Sequence, residues 1–393
     1  MPSSFHPPVR TLLGPGPSDV NPRILEALSR PTIGHLDPEF IRLMDEIKSL
    51  LQYAFKTKNE LTLPVSAPGS AGMEAVFVNL LERGDKAIVC QNGAFGGRMK
   101  ENVERCGAIP VMVMDEWGTA IDLEKVEAAL KDHPDAKMLA FVHAETSTGV
   151  LSDAEQLAAL GHKYDVLVVV DAVTSLGGVA LEVDAWGIDA IYSGSQKCLS
   201  CIPGLSPVSF SSRAVEVIRS RKSKVQSWFL DMNLIMDYWG GSTRRSYHHT
   251  APINPLYGLH EALVCLQEEG LPQAWQRHAM QHKAFAAGIE AMGLKLIVDP
   301  LSRLPQLNAV GVPEGIDEAV VRATLLSQYD LEIGAGLGSL AGKIWRVGLM
   351  GYGASQKNVL VCLGALESVL AEQGLELRRG AAVQAANDVY RSA

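Results

Sequence analysis

A chain of 393 residues is too long for one small core, and a large domain with a smaller one is the natural expectation. Hydrophobic residues make up 47% of the chain and charged residues 20%, which is typical of a soluble globular protein. A formal net charge of −9 gives no basic face for nucleic acid or anionic lipid, so we expect neither as a partner and no membrane association.

Cysteine usage and the two termini bear on the compartment. The first residues, MPSSFHPPVR, lack the apolar stretch of a secretory signal, and the last ones, VYRSA, lack the peroxisomal tripeptide. Sparse, irregularly spaced cysteines in apolar runs favour reduced thiols over a disulfide framework. We therefore expect a cytoplasmic protein. The six cysteines are Cys90, Cys106, Cys198, Cys201, Cys265 and Cys362.

The first eighteen residues are rich in proline and glycine and predict an extended arm. From 22 to 54 the apolar residues recur at helical spacing, and the break PTIGHLDP at 31–38 predicts two helices there. This break contains His35, a candidate pocket residue, although a loop histidine is more often solvated.

The segment 61–81 predicts a strand, a glycine-containing turn and a helix. Gly69, Ser70, Ala71 and Gly72 in that turn can present free amides and a hydroxyl to an anion such as phosphate. The turn is not a Walker loop, because the lysine of that motif is missing. The alternative is that Ser70 serves only as a helix N-cap.

Apolar strand-like runs then alternate with helical patterns, which predicts an α/β fold with a mostly parallel sheet covered on both faces. Ligands of such sheets bind at the carboxyl ends of the strands. We expect helices at about 97–106 and 122–132. The predicted strands are 86–92, 109–116, 137–145, 166–173, 189–195 and 205–211.

Two residues at predicted strand ends indicate a cofactor. The run VLVVV ends in a single carboxylate, Asp171, and YSGSQK at 192–197 ends in a single lysine, Lys197. A pyridoxal-phosphate site needs an acid that keeps the pyridine nitrogen protonated and a lysine that forms the Schiff base. The alternative is a solvated loop lysine and an ordinary strand-end cap.

The composition changes after residue 213, where a cationic stretch leads to the polar loop STRRSYHHTAP at 242–252. The tandem histidines at 248–249 have no further ligands at metal spacing, so we expect no metal site. A loop with Tyr247 and Thr250 is better suited to meeting a phosphate or a partner subunit. From about 270 a helix–strand–helix pattern predicts a compact second domain. We thus expect an arm at 1–18, a large cofactor-binding domain at 19–269 and a small C-terminal domain at 270–393.

Several motifs follow one another in a specific order: LLGPGPS (12–18), MDEIK (44–48), HAETSTGV (143–150), VDAVTSLGG (170–178), YSGSQK (192–197), YHHTAP (247–252) and GKIWRVGLMGYG (342–353). Over nearly its whole length the chain resembles the alanine–glyoxylate and serine–pyruvate aminotransferases, which are class V, fold-type I pyridoxal-phosphate enzymes. The resemblance implies a large domain with a mostly parallel seven-stranded sheet, a smaller C-terminal α/β domain, and a homodimer whose active sites lie at the subunit interface.

The resemblance also implies roles for individual residues. Lys197 is the Schiff-base lysine and proton carrier, and Asp171 pairs with the pyridine nitrogen of pyridoxal 5'-phosphate. Thr146 matches the residue that hydrogen-bonds the ring hydroxyl of the cofactor, and Phe95 matches a stacking aromatic residue that is tryptophan in the animal enzymes. Arg346 grips the substrate carboxylate as a bidentate fork, whereas without the family it would be a strand-end arginine in a salt bridge.

The phosphate and the substrate engage further residues in this comparison. Gly69, Ser70, Ala71 and Gln196 should hold the phosphate, joined by Tyr247 and Thr250 of the other subunit. Pro68 replaces a small polar residue of some relatives and offers no amide. We expect Gly16, His35 and Thr146 to border the substrate, where a hydrogen bond from His35 favours serine as donor. The pair Cys198-x-x-Cys201 resembles a redox or zinc pair, but structural thiols are expected.

The expected reaction is a ping-pong transfer of an amino group from alanine or serine to glyoxylate or pyruvate. The C-terminal segment is also similar to the ureidoglycine–glyoxylate aminotransferases of purine breakdown, so this activity is the alternative. Against it, Tyr247 stands where those relatives usually have asparagine, and 35–36 reads His-Leu where they tend to have glutamine and phenylalanine. A β-lyase or cysteine desulfurase would need a loop cysteine that the C-terminal region lacks. A non-catalytic dimeric module is disfavoured because Lys197, Asp171 and Arg346 are all present.

Overall fold

The protein is described here by a computed structural model that covers residues 2–240 and 245–392. The described strands, in chain order, are β1 (Thr11–Leu12), β2 (Leu61–Val65), β3 (Lys86–Gln91), β4 (Ile109–Met114), β5 (Ala136–Val142), β6 (Ala144–Glu145), β7 (Val150–Leu151), β8 (Leu167–Asp171), β9 (Ala190–Tyr192), β10 (Ser206–Phe210), β11 (Leu307–Gly311), β12 (Leu331–Glu332), β13 (Gly334–Ala335) and β14 (Ile344–Gly348).

The described helices are α1 (Pro22–Leu28), α2 (Pro38–Phe55), α3 (Gly69–Leu80), α4 (Ala94–Arg105), α5 (Leu123–Asp132), α6 (Ala154–Lys163), α7 (Val183–Trp186), α8 (Ser212–Arg219), α9 (Met232–Trp239), α10 (Ile253–Glu269), α11 (Leu271–Ala291), α12 (Glu318–Tyr329), α13 (Gln356–Glu372) and α14 (Ala381–Arg391). None of them is both long enough and apolar enough to cross a membrane.

A seven-stranded sheet with the order β2-β10-β9-β8-β5-β3-β4 forms the centre of the chain. All pairs from β9 to β4 are parallel, and β10 alone runs against its two neighbours. Every residue of β8 is buried, as expected for a strand covered on both faces by helices. The α/β class and the mostly parallel seven-stranded sheet are confirmed.

The predicted strands and helices are present, but their ends differ. The strand predicted at 189–195 ends at Tyr192, because the next residues turn away and their amides bond to carbonyls of the loop before β10 and of β10 itself. The helix predicted at 97–106 begins three residues earlier, at Ala94, because glycines in its first turn hide the apolar period. The break predicted at 31–38 separates α1 from α2, which begins after the N-cap Asp37.

The apolar core falls into two large clusters. One lies around the seven-stranded sheet and includes buried residues from Ile24 to Ala274. The other joins α11 to α14 with the antiparallel sheet β11-β14-β13. Leu13 belongs to this second cluster, since β1 pairs in parallel with β12. The first residues of the chain are thus attached to its C-terminal part.

Candidate active site

Lys197 follows β9 by five residues and is almost completely buried. Its ammonium group donates a hydrogen bond to the carbonyl of Pro15, and its own carbonyl accepts one from the Ser200 amide at 3.0 Å. Burial lowers the pKa of Lys197 to about 8, and the positive charges of Arg346 and Arg98 act in the same direction. About a tenth of the amine is therefore unprotonated, and nucleophilic, at pH 7, far more than for an ordinary lysine.

Asp171 is the last residue of β8, where its register partners are Val142 of β5 and Tyr192 of β9. Only 2% of the residue is exposed, and Oδ1 accepts a hydrogen bond from the Val173 amide at 2.9 Å. Burial raises the pKa of Asp171 to about 7, and the nearby charge of Glu145 adds to this. A carboxylate in such surroundings is stabilised by a cationic N–H group brought by a ligand.

Arg346 lies in the middle of β14 and is buried. Its guanidinium donates to two backbone carbonyls, from Nε to Ala335 at 2.6 Å and from Nη1 to Thr146 at 3.2 Å. Among the described residues no carboxylate forms a salt bridge with it, which argues against the salt-bridge interpretation. Burial lowers the pKa of Arg346 to about 10, so the group stays charged and suits a carboxylate ligand.

Thr146, whose carbonyl accepts from Arg346, is preceded by Glu145, which the sequence prediction did not include. The buried Glu145 carboxylate accepts hydrogen bonds from the Ser147 hydroxyl at 2.6 Å and from the Phe95 amide at 3.1 Å. Burial raises the pKa of Glu145. An acidic residue at the end of the mostly apolar run KMLAFVHAE (137–145) was the signal in the sequence that could have identified it.

The start of α3 leaves its first amides without a cap. Pro68 precedes the helix and provides no side-chain hydrogen bond, so the interpretation of Ser70 as the N-cap is wrong. Ser70 is exposed, while the Ala71 amide donates to the Pro68 carbonyl at 2.7 Å. A Cβ atom on Gly69 would lie 3.4 Å from the Ser193 carbonyl oxygen, so this turn approaches the segment that leads to Lys197.

Gln196 lies beside the same turn. Its side-chain oxygen is buried and has no hydrogen-bond partner among the described residues. A Cβ atom on Gly194 would lie 2.7 Å from that oxygen, and Gly194 is in turn a neighbour of Gly69. A buried amide group without a partner costs free energy unless a ligand or water satisfies it. The uncapped amides of α3 and the Ser70 hydroxyl, by contrast, are hydrogen-bond donors of the kind that suits a phosphate.

Phe95 is half-buried in the first turn of α4. The Arg98 guanidinium, which the sequence prediction did not include either, lies 4.7 Å from the centre of its ring. Gly16 approaches Lys197 from another side, where a Cβ atom would lie 2.5 Å from Nζ. Gly16 also has a φ of +104°, which side chains disfavour, so two constraints require glycine at this position.

The remaining predicted site residues, Tyr247, Thr250 and His35, form a separate group. The Tyr247 hydroxyl lies 3.4 Å from the Thr250 hydroxyl, and the Tyr247 ring lies 5.2 Å from the ring of His35. Tyr247 is 60% exposed. The described hydrogen bonds and ring contacts do not join this group to Lys197 within one chain, and 242–244 of the same loop lie outside the described residues.

The tandem histidines of this loop are His248 and His249. Their Nδ1 atoms are 2.8 Å apart, and the Nε2 atom of His249 is 2.7 Å from the Ser66 hydroxyl. The described residues contain no group of three or more histidine, cysteine, aspartate or glutamate side chains placed to hold a metal ion. The histidines bond to each other and to the segment before α3.

Three comparisons connect this geometry to known proteins. The family model of class V aminotransferases matches residues 24–354. A crystal structure of ureidoglycine–glyoxylate aminotransferase from Bacillus subtilis superposes with a TM-score of 0.96 and 40% identity, covering 99% of this chain and 100% of that one. Alanine–glyoxylate aminotransferase from Nostoc gives 0.92 and 46%, covering 94% and 97%. The enzyme of that name from Callithrix jacchus is 41% identical, over 92% of this chain and 88% of that protein.

The chain belongs to the class V aminotransferase family. It is an aminotransferase with pyridoxal phosphate as its cofactor and an amino acid and a 2-oxo acid as substrates. The residues of this aminotransferase fit the cofactor. Asp171 offers a buried carboxylate for a cationic ring nitrogen, Lys197 offers an amine with a lowered pKa, and the uncapped start of α3 offers backbone N–H groups that donate to a phosphate.

The cysteine pair of this aminotransferase is shielded from solvent. Cys198 and Cys201 are both buried, and the Cys198 thiol donates to the Thr174 carbonyl at 3.3 Å. Burial raises the pKa of each thiol to about 12. At neutral pH both are therefore protonated and poor nucleophiles. All six cysteines are free.

Proposed function

We propose that this enzyme transfers the amino group of alanine or serine to glyoxylate or pyruvate. The observation that carries the proposal is the buried Arg346 guanidinium, which among the described residues bonds to the Ala335 and Thr146 carbonyls and whose charge lowers the pKa of Lys197. Small substrates with one carboxylate match one such arginine. The relatives named alanine–glyoxylate aminotransferase support this choice of substrates.

We assign the chemistry to residues as follows. The bound cofactor supplies an electron-withdrawing ring that stabilises negative charge at the substrate α-carbon. Lys197 holds the cofactor and then moves the proton at that carbon, for which an amine with a pKa of about 8 is suitable. Asp171 keeps the ring nitrogen protonated. Thr146 hydrogen-bonds the ring hydroxyl and Phe95 covers the ring face.

We place the cofactor phosphate at Gly69, Ser70, Ala71 and Gln196, and the substrate beside Gly16 and Arg346. We further propose a homodimer in which Tyr247 and Thr250 of one chain reach the phosphate of the other, with His35 beside them at the donor pocket. The exposure of Tyr247 and of Trp228, which stacks on His248, at 60% and 63%, supports a partner on this face.

Ureidoglycine is the second candidate donor. The structure of the Bacillus subtilis ureidoglycine–glyoxylate aminotransferase covers 99% of this chain with a TM-score of 0.96, which supports it. Tyr247 and the His-Leu pair at 35–36 speak against it, because they depart from what we expect of such enzymes. A cysteine desulfurase is disfavoured, since five of the six cysteines are buried and Cys265 is half-buried within α10.

We also propose the division into an arm at 1–18, a large domain at 19–269 and a small domain at 270–393. The boundary at 269 to 270 lies between α10 and α11, where Gly270 has a φ of +86°. A cytoplasmic location is proposed from the sequence and from six free cysteines, which suit a reducing compartment.

A half-reaction screen tests the proposed function. The visible absorption of the holoenzyme is followed while alanine, serine, glycine or ureidoglycine is added alone, and then while glyoxylate, pyruvate or 2-oxoglutarate is added. We expect bleaching by alanine or serine and recovery with glyoxylate or pyruvate. Bleaching by ureidoglycine alone would establish the second candidate, and no response to any of these donors would contradict both.

A further inference from the structure

The N-terminal arm contacts Lys197 at both ends of the residue. The Pro15 carbonyl accepts a hydrogen bond from the Lys197 ammonium group. The Ser18 hydroxyl lies 2.7 Å from the Lys197 carbonyl oxygen and 3.2 Å from that of Gln196, and the Ser18 amide donates to the Gln196 carbonyl at 2.9 Å. Ser18 is only 2% exposed, so water does not compete for these hydrogen bonds.

The same arm is attached at its other end to the strand that carries Arg346. The Leu13 carbonyl accepts a hydrogen bond from the Gly348 amide at 2.8 Å, and the Leu13 amide donates to Glu332 at 2.9 Å. Gly348 is two residues beyond Arg346 in β14. Residues 13–18 of the arm therefore connect β14, which carries Arg346, to the loop that carries Lys197.

Packing along this connection is close. A Cβ atom on Gly348 would lie 2.0 Å from the Gly14 carbonyl oxygen. A Cβ atom on Gly334, which pairs with Arg346, would lie 2.4 Å from the Pro15 ring. Side chains at these positions would force the segments apart. The arm is thus held on one side by β13 and β14 and on the other by the Lys197 loop.

We propose that Ser18 is a positioning residue for Lys197, and that it fixes the lysine loop relative to the strand of Arg346. The proposal rests on the proposed role of Lys197 in the reaction. The Lys197 carbonyl also accepts from the Ser200 amide, and the Ser18 amide still holds Gln196 when the hydroxyl is lost. Removing the hydroxyl therefore loosens the loop without unfolding it.

Ser18→Ala and Ser18→Cys test this proposal, because cysteine keeps the shape but is a weak donor. Ser209→Ala is the matched control, since that buried hydroxyl bonds to Thr62 and Asn59 and not to the lysine loop. We expect kcat to fall about tenfold in Ser18→Ala with KM little changed, because orientation of the reacting amine is lost. Ser209→Ala should keep its kcat.

A second measurement does not depend on activity. In the full chain freed of cofactor, trace acetylation followed by peptide mass spectrometry reports how fast the Lys197 amine reacts. We expect a several-fold faster reaction in Ser18→Ala than in the wild type or in Ser209→Ala, because the amine leaves the Pro15 carbonyl more often.

Three results would overturn the proposal: an unchanged rate of Lys197 acetylation, a fall in KM and kcat together, or an equal loss of kcat in Ser209→Ala. If Ser18→Ala does not fold, the same criteria apply to Ser18→Cys. Activity that survives in Lys197→Ala would instead contradict the proposed function, and the acetylation result would still decide whether Ser18 positions the lysine.

Discussion

The pocket around Lys197 and the loop at 245–252 contain the two halves of the predicted site. They differ in burial and in the charge of their side chains. Lys197, Asp171 and Arg346 are buried, and burial is the largest cause of the displaced pKa of each. Tyr247 and Thr250 are exposed and bond to each other. Burial disfavours the charged forms of Lys197, Asp171 and Arg346, so a ligand of opposite charge would stabilise them. The exposed side chains of Tyr247 and Thr250 are instead available to contact a partner surface.

This difference separates what one chain does from what two chains do. The lysine pocket is built from distant parts of a single chain, because Arg346 of β14 reaches the Thr146 carbonyl. Among the described contacts, none joins the loop at 245–252 to Lys197, Asp171 or Arg346 of the same chain. A second copy is therefore the proposed source of the hydroxyls that would complete the phosphate site.

The largest predicted effect concerns the pocket. Lys197→Ala should lower kcat by about 10⁴-fold or more, because the residue both holds the cofactor and moves the proton. Steady-state assays with added cofactor measure this. Lys163→Ala, which removes a surface lysine paired with Glu127, is the control and should be fully active. Comparable activity in the two variants would place the chemistry elsewhere.

Arg346 comes next. Arg346→Lys should raise KM for the amino acid and for the oxo acid about 30-fold, because a point charge replaces a bidentate fork. Arg322→Lys, in an arginine that bonds Glu318 within α12, provides the comparison and should change neither constant. An unchanged KM in Arg346→Lys would remove Arg346 from carboxylate binding.

The exposed loop should show a smaller effect. Tyr247→Phe should weaken cofactor binding about tenfold, the loss of one hydrogen bond to a charged group. Mixing Tyr247→Phe with Lys197→Ala chains sharpens the comparison, since each mixed dimer would contain one site with both native residues. We expect tight cofactor binding and activity to return in that site. Failure of the mixture to do so would mean that the loop serves its own chain.

The smallest predicted effect is on stability. With a folded-state pKa of about 7 against an ordinary 3.8, Asp171 is protonated more readily when folded, so its ionisation destabilises the cofactor-free protein increasingly as pH rises from about 4 to 7. Asp171→Asn should raise the free energy of unfolding on the order of 1 kcal/mol, and more at pH 8 than at pH 5. Urea unfolding at both pH values measures this.

Asp165→Asn, in a carboxylate whose side chain is 95% exposed, is the control for that experiment. It should change the free energy of unfolding little at either pH, since an exposed pair with Arg213 contributes little. A gain in Asp171→Asn that is equal at both pH values would show that the carboxyl is not strained by burial.

Local patterns predicted much of this molecule. Near-continuous apolar runs indicated the parallel sheet. The positions of Asp171 and Lys197 at predicted strand ends indicated that both lie at the same edge of that sheet. Arg346 depended on the family resemblance, because a strand arginine has no local signature. That it bonds carbonyls and no described carboxylate emerged only from the structure.

Long-range contacts explain what could not be predicted. Ser18 lies 179 positions from the carbonyl it holds, and Glu145 meets the Phe95 amide across 50 positions. At the start of α3, only the alternative interpretation of Ser70 as an N-cap fails, although a serine near a helix start is often a cap. Pro68 takes the cap position here and gives no side-chain hydrogen bond.

The most direct test of the lysine pocket is to reduce the holoenzyme with borohydride and map the modified peptide by mass spectrometry. Reduction fixes the cofactor permanently to the lysine that carries it. We predict that the added mass lies on Lys197 and is absent from the Lys197→Ala variant. A modified peptide that contains any other lysine would contradict the assignment of this pocket.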